Sequence, residues 1–167
     1  MVQGMSKISV IGAGSVGATI ANDLMIQGTA SEIVLVDINK QKAFGEALDI
    51  YQGAPFCSPA IVRSGDYAAT AGSDIVVITS GMPRKAGQSR LDLAQANVNI
   101  IKDIAPQVVK AAPNAKYVIV SNPVDVLTYV FHKVSGLPEN QIIGSGTILD
   151  TSRLQSELAK IFRISPK

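Results

Sequence analysis

Short apolar runs and helical patterns alternate along the whole chain. Residues 7–11 (KISVI) form a β-branched run that stops at glycines, and residues 15–27 continue with helical spacing. Residues 32–37 (EIVLVD) predict a second strand, 40–51 a second helix and 60–64 a weaker third strand. Residues 74–79 (DIVVIT) and 116–120 (KYVIV) are unbroken β-branched runs, the pattern of strands buried on both faces of a parallel sheet. A long helix is expected between them, from Ser89 towards Ala111. Ser89 and Asp92 open it as an acidic variant of a capping box, and Pro106 should kink it or end it early. Residues 123–135 read as another helix, 141–143 as a short strand and 149–162 as a last helix. Within 40–51, Phe44, Ala47, Leu48 and Tyr51 fall at i, i+3, i+4 and i+7, one apolar stripe. With no internal repeat and no linker, the alternation predicts an α/β chain: a doubly wound parallel sheet with helices on both faces.

Composition narrows the picture without changing it. The 167 residues suit one compact domain, and 47% apolar with only 17% charged side chains excludes a disordered chain. One cysteine, Cys57, cannot close an internal disulfide and supplies no metal-ligand set, so a reducing, cytoplasmic setting and no metal are expected. No apolar run approaches the ~20 residues of a membrane span. A net charge of +2 with scattered basic residues gives nucleic acid nothing to grip.

Chemistry first appears at Gly12-Ala13-Gly14-Ser15-Val16-Gly17, directly after the first strand and opening the first helix. Glycines at these spacings permit a tight turn, close backbone approach to a pyrophosphate and close helix–strand packing. The free N–H groups of the helix start then bind phosphate without a lysine. The motif alone also describes an ordinary glycine-rich turn. Asp37, at the end of the second strand and 20 residues past Gly17, completes a Rossmann-type dinucleotide site. Its carboxylate can accept both adenosine ribose hydroxyls and repels a 2′-phosphate, favouring NAD over NADP. Thr79-Ser80-Gly81 and Ser121-Asn122-Pro123 end two later strands, where ligands of such sheets sit, and are candidates for the nicotinamide side.

The segments SVIGAGSVGATIA, EIVLVDI, GEALDI, SRLDLAQANVNIIK, VSNPVDVLTYV and SGLPENQIIGSGTILDTSR together resemble the L-lactate/malate dehydrogenase family over essentially the whole chain. The resemblance implies an NAD enzyme, dimeric or tetrameric, that interconverts a small 2-oxo acid and its L-2-hydroxy acid. It assigns Arg153 to the substrate carboxylate, Asp150 to orienting the catalytic histidine, Arg90 to the substrate carbonyl and Asn122 to the substrate oxygen. A ketone accepting hydride needs these same functions: a proton donor, a polarising group and a cation for the carboxylate. SRLDL, SNPVDVLTYV and GSGTILDTSR are closer to the lactate branch. Arg84, in the expected lid over 81–87, stands where the family selects its substrate and argues for malate. Gln155 stands where bisphosphate-activated lactate dehydrogenases carry arginine, which argues against such activation.

The family's acid/base histidine is missing from the chain. The one histidine, His132, lies on the helix after Asn122-Pro123 and has no catalytic counterpart in the family. The chain is therefore expected to hold an NAD-binding domain over 1–147 and, over 148–167, the start of a helix leading into a substrate domain that it lacks. A non-enzymatic dinucleotide sensor is the alternative from another class. It needs Gly12, Gly14, Gly17 and Asp37, but has no use for Arg84, Arg90, Asp150 and Arg153.

Overall fold

The β-branched runs become strands of one parallel sheet. A computed structural model describes residues 6–83, 87 and 89–166. Its strands are β1 (Lys7–Ile11), β2 (Glu32–Val36), β3 (Ile61–Gly65), β4 (Ile75–Ile78), β5 (Lys116–Ile119) and β6 (Ile142–Gly144), in the spatial order β3-β2-β1-β4-β5-β6. All five pairings are parallel, with Val10 of β1 opposite Leu35 of β2 and Val77 of β4. The order reverses between β1 and β4, so a crevice opens beyond their carboxyl ends.

Successive residues of a strand face opposite layers, which divides the core in two. Val34, Val36, Val76 and Ile78 pack with α3 (Arg90–Ala111) and α4 (Val124–Ser135) through Ile101, Ile104, Leu127 and Phe131. Ile33, Leu35, Val10 and Val62 pack with α1 (Ser15–Gln27) and α2 (Lys40–Gln52) through Ala21, Met25, Ala43 and Ile50. Each fully buried Leu, Ile or Val in these layers stabilises the fold by roughly 1.5–3 kcal/mol. Among the described residues, no helix is long and apolar enough to cross a membrane.

Two sequence expectations need correction. Pro106 neither ends nor cuts short its helix: α3 runs on to Ala111. Pro106 and Lys102 both sit on the exposed side, so the Lys102 carbonyl that loses its donor can turn to water. Ile101, Ile104, Ala105 and Val108 continue the buried face unbroken. On α2 the apolar stripe is divided between the sheet and solvent. Ala43, Ala47 and Ile50 lie on the sheet, while Phe44, Leu48 and Tyr51 are 61%, 43% and 48% exposed. The last strand also starts one residue late. Gln141 closes a short turn, Glu139–Gln141, and its side-chain amide donates to the carbonyls of Pro113 and Ala115. The final helix, α5 (Ile148–Phe162), buries only Ala159.

Candidate dinucleotide site

The turn from β1 into α1 is built by glycines with different duties. Gly12 has φ +107°, which an L side chain rarely adopts, and its amide donates to the Val36 carbonyl at 2.7 Å. A Cβ on Gly17 would lie 1.8 Å from the Gly12 carbonyl oxygen, so α1 can approach β1 only with glycine there. Gly14 is otherwise: a Cβ on it would meet nothing within 4 Å. The space above Gly14 is open, as a bound pyrophosphate requires.

Gly14 is the N-cap of α1, where no side chain caps the helix and no acidic residue sits in the first turn. The first N–H groups of a helix have no partner within it, and the dipole makes them favourable to an anion. Ser15 and Val16 are both exposed on this first turn, and Val16 is 55% exposed. The expected cradle is thus open, uncapped and lined by backbone donors.

Asp37 stands beside it at the end of β2, half-buried. One carboxylate oxygen accepts the Ala13 amide at 2.8 Å and the other accepts the Asn39 amide at 2.8 Å. A carboxylate has about four acceptor positions, so two remain for the hydroxyls of a ribose. The negative charge of Asp37 also reaches Tyr67. Burial pushes the Tyr67 phenol above its ordinary range, and the carboxylates of Asp37 and Asp103 push it the same way.

Across the crevice, hydroxyls brace the strand ends rather than face outward. Thr79 Oγ1 donates to the carbonyls of Gly12 at 2.9 Å and Ile11 at 3.2 Å, tying the end of β4 to the glycine turn. Ser121 Oγ donates to the Ser80 carbonyl at 2.7 Å, and so ties β5 to β4. Ser80 is partly exposed and Gly81 exposed, at the mouth. The peptide bond between Asn122 and Pro123 is cis. One residue here escaped sequence reasoning. Asn97 of α3, 3% exposed, accepts the Met82 amide and donates to the Asn122 carbonyl, both at 2.8 Å. Its one legible signal is polarity at a position in register with buried Ile101 and Ile104.

The residues assigned to substrate are placed less tightly. Arg90 is the first residue of α3, exposed and without an ion pair among the described residues. A cation at the positive end of a helix dipole is mildly unfavourable, so Arg90 is not there for the helix. The Ser89 and Asp92 capping box forms as expected and offsets that charge. On α5, Arg153 Nη1 donates to Asp150 Oδ1 at 3.0 Å, with both side chains more than two-thirds exposed. The described contacts join these two to each other and not to Asn122. Arg84 lies outside the described residues. His132 sits about 12 Å along the α4 axis from Val124, and its Nε2 is 3.9 Å from Glu139.

The chain has relatives of known family and fold. A family model described as lactate/malate dehydrogenase, NAD binding domain, matches residues 6–144. The L-lactate dehydrogenase of Clostridium botulinum is 58% identical over 162 residues, covering 97% of this chain and 51% of the relative. The chain thus spans about half the length of the curated relatives it matches. A minor L-lactate dehydrogenase from Enterococcus mundtii, solved with ligands bound, superposes with a TM-score of 0.94 at 39% identity, covering 97% of this chain and 52% of that one. The apo malate dehydrogenase of Picrophilus torridus gives 0.91 at 41% identity, covering 96% of this chain and 52% of that one. With the glycine turn, the Asp37 carboxylate and the strand order in place, the chain belongs to the lactate/malate dehydrogenase family and carries its NAD-binding domain.

Proposed function

We propose that the protein acts as an NAD-dependent L-2-hydroxy-acid dehydrogenase, reducing pyruvate to L-lactate, with these residues forming its dinucleotide-binding half. The open cradle above Gly14, beside the Asp37 carboxylate, carries the reading. Ser15, Val16 and Gly17 offer backbone donors to the pyrophosphate, and Asp37 holds the adenosine ribose. Thr79 and Ser121 brace the turns on which Ser80, Gly81 and Asn122 meet the nicotinamide side. When bound, the nicotinamide supplies the hydride.

In this reading Asn122 holds the oxygen of the oxo acid and Arg90 polarises its carbonyl. Arg153 clamps the carboxylate with paired hydrogen bonds, and Asp150 orients an imidazole supplied by residues beyond the dinucleotide domain, whose boundary falls at 147/148. The Asp150–Arg153 pair is exposed and separates at little cost, since surface ion pairs are worth about 0–1 kcal/mol. A cytoplasmic location and a homodimeric or homotetrameric assembly complete the proposal. Malate is the second substrate reading, favoured by Arg84 alone.

Fluorescence titration of the 167-residue protein with NADH tests the site, and saturable binding is the expected result. No binding of NADH overturns the proposal. Joined to a second half like that of the relatives, the protein should reduce pyruvate. Arg84→Gln should then move preference from oxaloacetate towards pyruvate if Arg84 selects the substrate.

A further inference from the structure

We infer that Asn97 is the positioning residue of the nicotinamide side, one carboxamide that sets the turn after β4 and the turn after β5 at a fixed separation. The inference rests on the dinucleotide-site reading above. Its basis is a pair of hydrogen bonds of opposite sense: Oδ1 accepts the Met82 N–H and Nδ2 donates to the Asn122 carbonyl, each at 2.8 Å. An N–H on one side and a carbonyl on the other admit a single orientation of the amide. Rotating it by half a turn would set donor against donor and acceptor against acceptor.

Burial makes the link rigid. Asn97 is 3% exposed, so water does not replace either partner readily. It projects from α3 within the helix face that also buries Ile101, Ile104 and Ala105. The two turns it joins are 40 residues apart in sequence (Met82 to Asn122). The Ser121–Ser80 hydrogen bond links the same turns closer to the sheet. Asn97 adds a second link further out, past Gly81, where Asn122 itself is exposed. Two links at different heights fix an angle as well as a distance. Asn97 touches neither the glycine turn nor Asp37 in any described hydrogen bond, so its effect is confined to one half of the ligand.

That confinement supplies the test. NADH and ADP-ribose share the adenosine, the pyrophosphate and the second ribose, and only NADH carries the nicotinamide ring. Asn97→Asp nearly preserves shape and keeps an acceptor for Met82, but sets an oxygen against the Asn122 carbonyl. Asn97→Ala removes both bonds. Titration of the 167-residue protein with each ligand should give both variants an NADH dissociation constant raised about tenfold, or about 1.4 kcal/mol. ADP-ribose should bind within about twofold of the unmutated protein. Equal weakening of both ligands assigns Asn97 a general structural role and overturns the inference, as does unchanged NADH binding in Asn97→Asp. Failure of the unmutated protein to bind either ligand overturns the dinucleotide reading itself. Should Asn97→Ala fail to fold, Asn97→Asp alone decides.

Discussion

The carboxylate of Asp37 accepts the amide N–H of Ala13 at 2.8 Å, so the residue proposed to read the ribose also holds the glycine turn in place. Asp37→Ala therefore has two effects. It leaves the N–H of fully buried Ala13 without its partner, which costs about 1–3 kcal/mol. It also removes the ribose acceptor and the charge facing a 2′-phosphate. NADH should bind about tenfold more weakly while NADPH changes less, narrowing the gap between them. Thermal melts and paired titrations separate the two effects. Equal affinities for NADH and NADPH in the unmutated protein would remove Asp37 from this role.

Gly14 and Gly17 separate ligand space from packing space. At Gly17 an added methyl meets a backbone carbonyl oxygen that cannot step aside. Gly17→Ala should destabilise the fold by about 3 kcal/mol or more. Gly14 has φ −77° and open surroundings, so Gly14→Ala should leave the melting temperature nearly unchanged. Its methyl projects into the cradle and should weaken NADH about tenfold. A Gly14→Ala protein that binds NADH normally would place the pyrophosphate elsewhere.

Tyr117 gives the fold an alkaline limit. Its fully buried hydroxyl donates to the carbonyls of Ala112 at 2.8 Å and Val108 at 3.1 Å, where α3 ends. Burial pushes the phenol from 10.0 up to about 12. The folded state thus holds this proton more tightly than the unfolded one. The stabilisation is complete below pH 10 and is lost as the pH rises towards 12. Tyr117→Phe should lower stability by about 1–2 kcal/mol at neutral pH and flatten the alkaline fall, as read by urea denaturation across that range. An unchanged alkaline limb would show that another group sets it.

His132 should be dispensable. It lies far along α4 and faces Glu139, so His132→Gln should leave NADH affinity within about twofold. The 167-residue protein should not oxidise NADH with pyruvate or oxaloacetate, because positioned proton transfer contributes about 10²–10⁴-fold and the described residues offer no placed donor. Turnover that vanishes in His132→Gln would reverse this assignment.

Phe44, Leu48 and Tyr51 face solvent on α2, an apolar stripe that a second copy of the chain could cover. Sedimentation at high concentration should reveal dimer, and Leu48→Glu should reduce it. Monomer alone, at every concentration, would remove α2 from the assembly.

Much of this arrangement was legible because local and global signals coincide. β-branched runs such as EIVLV are buried on both faces, and in GAGSVG Gly12 and Gly17 answer steric demands of the turn while Gly14 leaves the space above it open. The face that α2 turns to the sheet follows from packing rather than from hydrophobicity. A helix packed closely on a sheet prefers small residues, so Ala43 and Ala47 go inward while larger, more hydrophobic Phe44 and Leu48 stay out. Hydrophobicity ranked them the other way. Pro106 misled because a proline's effect depends on whether the carbonyl it leaves unpaired can reach water. Asn97 was invisible for a different reason: its partners, Met82 and Asn122, come together only when β4 and β5 lie side by side.

Because every strand of the sheet runs in the same direction, its two edges have separate duties. Gly12, Asp37, Thr79 and Asn122 all lie beyond the carboxyl ends. The turns that lead into the strands lie at the opposite edge, among them Pro113-Asn114 between α3 and β5, both exposed. A dye or surface tether attached at Asn114 would report on the domain from the side away from its ligand. The polarity of the sheet thus leaves one edge as a handle, open to chemical labelling without touching the nucleotide cradle.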